Sequence, residues 1–138
     1  MAGSVNADMV DFVERGLRCY VHRIAAGLGI GAESVTAELA DQPVAYLALP
    51  GGSPDHLDRD VALIWDDRHG WACGVETGCG EDVLVAAWYG EDVLPAPDDV
   101  VAFAKAFLGG QPAGQPTPPD PSSDADLWTR LHGYLSCD

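Results

Sequence analysis

The chain has 138 residues, in which 22 Asp plus Glu face 7 Lys plus Arg, a formal net charge of −15. Such a surface repels phosphate backbones and anionic lipid headgroups, because nucleic-acid affinity comes largely from cations that displace counterions. This argues against direct binding to nucleic acid or a membrane surface. A hydrophobic share of 47% separates the chain from disordered acidic tails, and the length suits one domain that buries a single core without metal or disulfide support.

The stretch from Met1 to Met9 has neither the basic start nor the apolar run of a signal peptide, and no apolar segment is long enough to span a bilayer. Cys19, Cys73, Cys79 and Cys137 are scattered without the density of a secreted disulfide scaffold, so the sequence reads as a cytoplasmic protein with reduced thiols.

In chain order, Val10, Val13, Leu17, Tyr20 or Val21, Ile24 and Leu28 recur at helical spacing and predict a helix from Asp8 to Leu28, capped by Asn6 or Asp8 and ended by Gly27, Gly29 and Gly31. Between Ser34 and Tyr89 the pattern becomes extended. Val35–Leu39, Val44–Leu49, Val61–Trp65, Trp71–Thr77 and Val83–Tyr89 read as strands, and their short connections predict antiparallel pairing. Asp66-Asp67-Arg68-His69-Gly70 has the composition of a hairpin loop, which makes Trp65 and Trp71 a cross-strand pair, with Trp88 opposite in the next strand. Pro97 with Asp98 and Asp99 opens a second helix over 97–108, stopped by Gly109-Gly110. Five of the ten prolines fall between Gln111 and Asp124, the composition of a solvated linker, and a short amphipathic helix follows within 125–138.

The candidate chemistry is thin. Asp55-His56-Leu57-Asp58-Arg59-Asp60 gathers carboxylates and an imidazole, but it lacks the glycine and the distal glutamate of a calcium loop. Cys73 and Cys79 with His69 do not have the paired spacing of a structural zinc site. Cys19 and His22 are neighbours on the first helix without an identifiable orienting acid. No catalytic, cofactor-binding or metal-ligating residue is assigned. Arg15, Arg18 and His22 form the one basic patch, against which stands local pairing of Asp11 with Arg15 and Glu14 with Arg18.

The segments Trp65-Asp66-Asp67-Arg68-His69-Gly70-Trp71 and Val93-Leu94-Pro95-Ala96-Pro97-Asp98-Asp99-Val100-Val101-Ala102-Phe103 resemble a family of small actinobacterial proteins of unknown function. In that family a tryptophan hairpin ending in Gly-Trp precedes a Pro-x-Pro approach to the closing helix. The resemblance covers about Asp8 to Leu108 and implies no activity, cofactor or catalytic residue.

The expected fold is α+β: a helix, a meander of four to five antiparallel strands and a second helix on the same face, making one domain over 1–110. A linker (111–124) and a terminal helix (125–138) complete the chain, the helix docking in cis or on a partner. Strands 44–49 and 83–89 carry apolar residues on both faces, more than two helices can cover. The C-terminal helix, a second copy or another protein must cover the rest. The functional expectation is therefore a non-enzymatic interaction or regulatory module with a protein partner or in a homodimer. Leu127, Trp128, Leu131, Tyr134 and Leu135 would be its partner-binding anchors. A ligand- or metal-dependent enzyme using the Asp55–Asp60 loop is one alternative, and an acidic inhibitor of a basic partner is another.

Overall fold

A computed structural model of the chain describes residues 2–39, 43–49, 60–76, 83–90, 92–119 and 127–134. Helix α1 (Ala2–Leu28) leads through a 3-10 turn (Ala32–Ser34) into five strands: β1 (Val35–Leu39), β2 (Pro43–Leu49), β3 (Val61–Asp66), β4 (Gly70–Glu76) and β5 (Val83–Trp88). Helices α2 (Pro97–Leu108) and α3 (Leu127–His132) close the chain. The sheet is an antiparallel meander in the order β1-β2-β3-β4-β5, as the short connections require.

Helix α1 starts at Ala2, about two turns before the expected cap, and no proline from Ala2 to Ala7 interrupts it. The expected stripe residues Val10 and Val13 have side chains outside those described. The helix ends in a Schellman motif, in which Gly29 N–H donates to Ala26 O and Ile30 N–H to Ala25 O. Helix α2 stops in the same way, with Gly110 N–H on Phe107 O and Gln111 N–H on Ala106 O.

Residues paired across an antiparallel sheet share a face, so the register sorts the side chains. One inner row runs Val35, Leu47, Leu63, Cys73 and Ala87, and the next begins Ala37, Ala45, Trp65 and Trp71. These join Leu17, Tyr20, Val21 and Ile24 of α1 and Val100, Phe103 and Ala104 of α2 in one core cluster. Each large aliphatic side chain sealed there contributes about 1.5–3 kcal/mol relative to leaving it in water.

The hairpin forms as its composition predicts. Trp65 pairs with Trp71, the indole centroids 6.3 Å apart. The Asp66 carboxylate accepts from Arg68 N–H at 2.8 Å and His69 N–H at 2.7 Å, which holds the turn. Gly70 has φ +76°, and a Cβ there would meet the Val93 backbone, so no other residue fits as easily. Trp88 departs from expectation: it pairs with Ala72, not Trp71, and therefore points to the opposite face from the other two indoles.

The tail is also more ordered than its proline content suggests. Gln115 forms an antiparallel bridge to Trp88, with Trp88 N–H donating to Gln115 O at 2.8 Å and Gln115 N–H to Trp88 O at 2.7 Å. The expected solvated linker is, at this point, a strap along β5. Helix α3 then packs on α1, which places Leu127 and Leu131 in the core cluster, 4% and 1% exposed. Tyr134 lies on Tyr20 with ring centroids 4.8 Å apart, and the Arg23 guanidinium sits over the Tyr134 ring, 5.4 Å from its centroid.

Candidate functional site: the outer face of the sheet

The sheet's outer face carries one residue from every strand in a single row: Thr36, Tyr46, Ile64, Ala72 and Trp88. The neighbouring outer positions Ala62 and Ala72 are fully buried, whereas Val44 is 39% exposed. Small residues at the centre of the face and large ones around it make relief. The result is a shallow groove of about 290 Å³ bounded by Val44, Tyr46, Ile64 and Trp88, with Asp66 and Gly70 at one end.

Polar groups frame this apolar surface. Tyr46 of β2 reaches past β3 to donate its hydroxyl to Glu76 Oε1 of β4 at 2.5 Å. Burial, followed by that bond to a carboxylate, pushes the Tyr46 phenol up to about 12. At the other end His69 lies 5.7 Å from the Trp88 ring, with Nδ1 3.2 Å from Asp66 Oδ1. The Asp66 carboxylate is thus committed to its own turn and to His69. What remains is a surface suited to receiving an apolar side chain, with Tyr46 and Trp88 as its aromatic walls.

A second concavity, about 410 Å³, lies between α2 and the strap and is lined by Tyr89, Asp99, Phe103, Pro112 and Gln115 among others. A third, about 310 Å³, is bordered by Arg18 and His22 of α1 and by Val35, Thr36 and Ala37 of β1. The Glu14–Arg18 pair expected from the helical order is formed, at 2.8 Å.

The five residues marked as partner anchors do not lie on an open surface together. Leu127 and Leu131 are buried in the chain's own core and Tyr134 packs on Tyr20, because the amphipathic face of α3 finds α1 within the same chain. Leu127 and Leu131 are sealed from any partner while α3 is docked, and Tyr134 is half-buried. The Trp128 side chain and Leu135 lie outside the described residues. Nor does α3 cover the outer face, since its packing partner is α1.

Of the Asp55–Asp60 loop only Asp60 is described, and it is exposed. Cys79 and Asp11's side chain also lie outside the described residues. Cys73 is fully buried and burial pushes its thiol up to about 12, so it stays protonated and inert at neutral pH. Cys19 is disulfide-bonded, against the expectation of a reduced thiol that Cys73 meets, and so leaves no thiolate to pair with His22. Among the described residues, no helix is long and apolar enough to cross a membrane.

Sequence reasoning missed three side chains that make long-range polar contacts. Trp65 Nε1 donates to Val93 O at 2.7 Å, Tyr46 donates to Glu76, and Arg130 donates to Asp92 and to Leu94 O. Only the alternation of Tyr46 with core residues hinted at an outward phenol.

The model of a family of unknown function, DUF6292, matches residues 20–106, which span the last part of α1, the whole sheet and most of α2. No curated protein and no solved structure matches the chain.

Proposed function

The chain belongs to this family of unknown function, DUF6292, and we propose that it is a non-catalytic protein-interaction module whose contact surface is the outer face of its sheet. The observation that carries this reading is the row Tyr46, Ile64 and Trp88 beside exposed Val44, residues of three strands that together line one groove. Contiguous apolar surface of this kind on a folded domain marks docking sites, and an aromatic pair flanking an aliphatic centre is the composition of an interface core.

Capture of host proteins on the immobilised full chain tests this, comparing the wild type with a Val44→Glu, Ile64→Glu double variant whose fold is checked by circular dichroism. The reading expects specific partners on the wild type that the folded variant loses; equal capture by both contradicts it. A native mass spectrum run in parallel separates the enzymatic alternative, since a resident ligand or metal appears as added mass.

The net charge of −15 favours a second reading, an acidic protein that blocks a basic partner. Partner capture that collapses with modest salt, and survives the Val44→Glu, Ile64→Glu changes, would support that one.

A further inference from the structure

Strand β1 ends the sheet: β2 pairs with one of its edges, and among the described residues nothing pairs with the other. Its sequence, Val-Thr-Ala-Glu-Leu, has Glu38 as its one charged residue and no lysine or proline to discourage added pairing, and its register with β2 is regular. Beside this edge runs α1, whose Arg18 and His22 border the groove together with Val35, Thr36 and Ala37. Arg15, a turn earlier, is exposed. In a chain with only 7 Lys plus Arg, two arginines and a histidine beside one open strand are a local concentration of basic side chains.

We propose that β1 accepts an acidic, extended segment of another protein as a sixth strand. The segment's backbone pairs with the outward N–H and C=O groups of β1, and its carboxylates meet Arg18 and His22 across the groove. Strand addition of this kind takes its affinity from main-chain hydrogen bonds and its selectivity from the flanking side chains. Arg18 is suited to the task. Its side chain is 58% exposed, and Glu14 Oε1 engages Nη2 at 2.8 Å, which leaves further guanidinium donors for an incoming carboxylate. A second copy of this chain is the wrong occupant on charge grounds: symmetric pairing of two β1 edges sets two arginine–histidine walls together between bodies of −15 each. This edge is distinct from the outer face, so the proposal stands or fails separately from the docking role above.

The probe is a short fluorescein-labelled peptide alternating glutamate and valine, titrated against the full chain by fluorescence anisotropy, with the lysine–valine counterpart as control. The expected result is saturable binding of the glutamate peptide, weakened about tenfold or more by Arg18→Glu in a protein of unchanged melting temperature. The lysine peptide should bind no more than weakly, and amide shifts in a two-dimensional NMR spectrum should move at Val35–Ala37. Three results overturn the proposal: no saturable binding of the glutamate peptide, equal binding of the two peptides, or shift changes confined to other strands. A dimer in sedimentation that Arg18→Glu strengthens would also overturn it, because β1 would then be the seat of a second copy.

Discussion

Trp71 and Tyr20, 51 residues apart, are joined by a buried hydrogen bond: Trp71 Nε1 donates to Tyr20 Oη at 3.0 Å, and the same hydroxyl donates to Pro95 O at 2.5 Å. One phenol thus ties α1, the tryptophan hairpin and the turn before α2 at a single point. Burial also pushes the Tyr20 phenol far above its ordinary range, so it stays neutral and able to donate. Tyr20→Phe keeps the ring but strands an indole N–H and a carbonyl, and should cost about 2–3 kcal/mol in urea unfolding. A loss below about 0.5 kcal/mol would show that water replaces the hydroxyl freely.

Tyr46 makes the outer face sensitive to alkali. Its phenol is raised from an ordinary 10.0 to about 12, first by burial and then by its bond to Glu76. The folded state therefore favours the neutral phenol. Its contribution to stability is complete below pH 10 and is lost as the pH rises toward 12. Phenolate absorbance should show Tyr46 titrating late, with buried Tyr20 later still, and Glu76→Gln should move the Tyr46 titration down because the carboxylate no longer opposes ionisation.

Helix α3 is held by burial more than by charge. Arg130 makes a forked contact with Asp92, at 3.1 and 2.8 Å, but the two side chains are 35% and 42% exposed. Solvent screening limits such a pair to about 0–1 kcal/mol, whereas fully buried Leu131 should cost about 2–5 kcal/mol when cut to alanine. Chemical denaturation of Arg130→Ala and Leu131→Ala checks that order. The Arg130 guanidinium, ahead of all other influences, holds the Asp92 carboxyl below its ordinary range. Its contribution is present above the usual carboxylate range and is lost as the pH falls through the lowered value, and Arg130→Ala should remove this acid dependence.

The strap depends on Gly114, which has φ +61° and whose missing Cβ would stand 2.0 Å from Trp88 O. Gly114→Ala should displace the strap, at a cost of about 1–3 kcal/mol. Hydrogen exchange at the Trp88 and Gln115 amides gives the local readout, with protection lost at both. Retained protection would mean the backbone takes another route past β5.

The meander was legible in the sequence because each strand is bounded by turn-forming residues, and Asp66 to Gly70 carries its own instructions: a side-chain acceptor at the start and a glycine at the end. The α+β class and all five strands follow from such local signals. The strap did not announce itself, since Gln115 and Trp88 meet through backbone groups that every residue possesses. The docking of α3 on α1 was equally silent: an amphipathic face shows that Leu127 and Leu131 must be buried, not against what. The apolar residues on the outward positions of β2 and β5, Val44, Tyr46 and Trp88, were readable from their sequence alone. The position of Trp88 on that face turned on a bulge between Cys73 and Gly74 that no spacing rule reveals.

The most direct measurement places a photo-crosslinking amino acid at Val44, on the exposed part of the outer face, and a second at Lys105, exposed on α2, in the full chain expressed in its host. Docking through the sheet predicts a discrete protein adduct from position 44 and none from position 105. Irradiation that yields no adduct at Val44, or the same adducts from both positions, would contradict it.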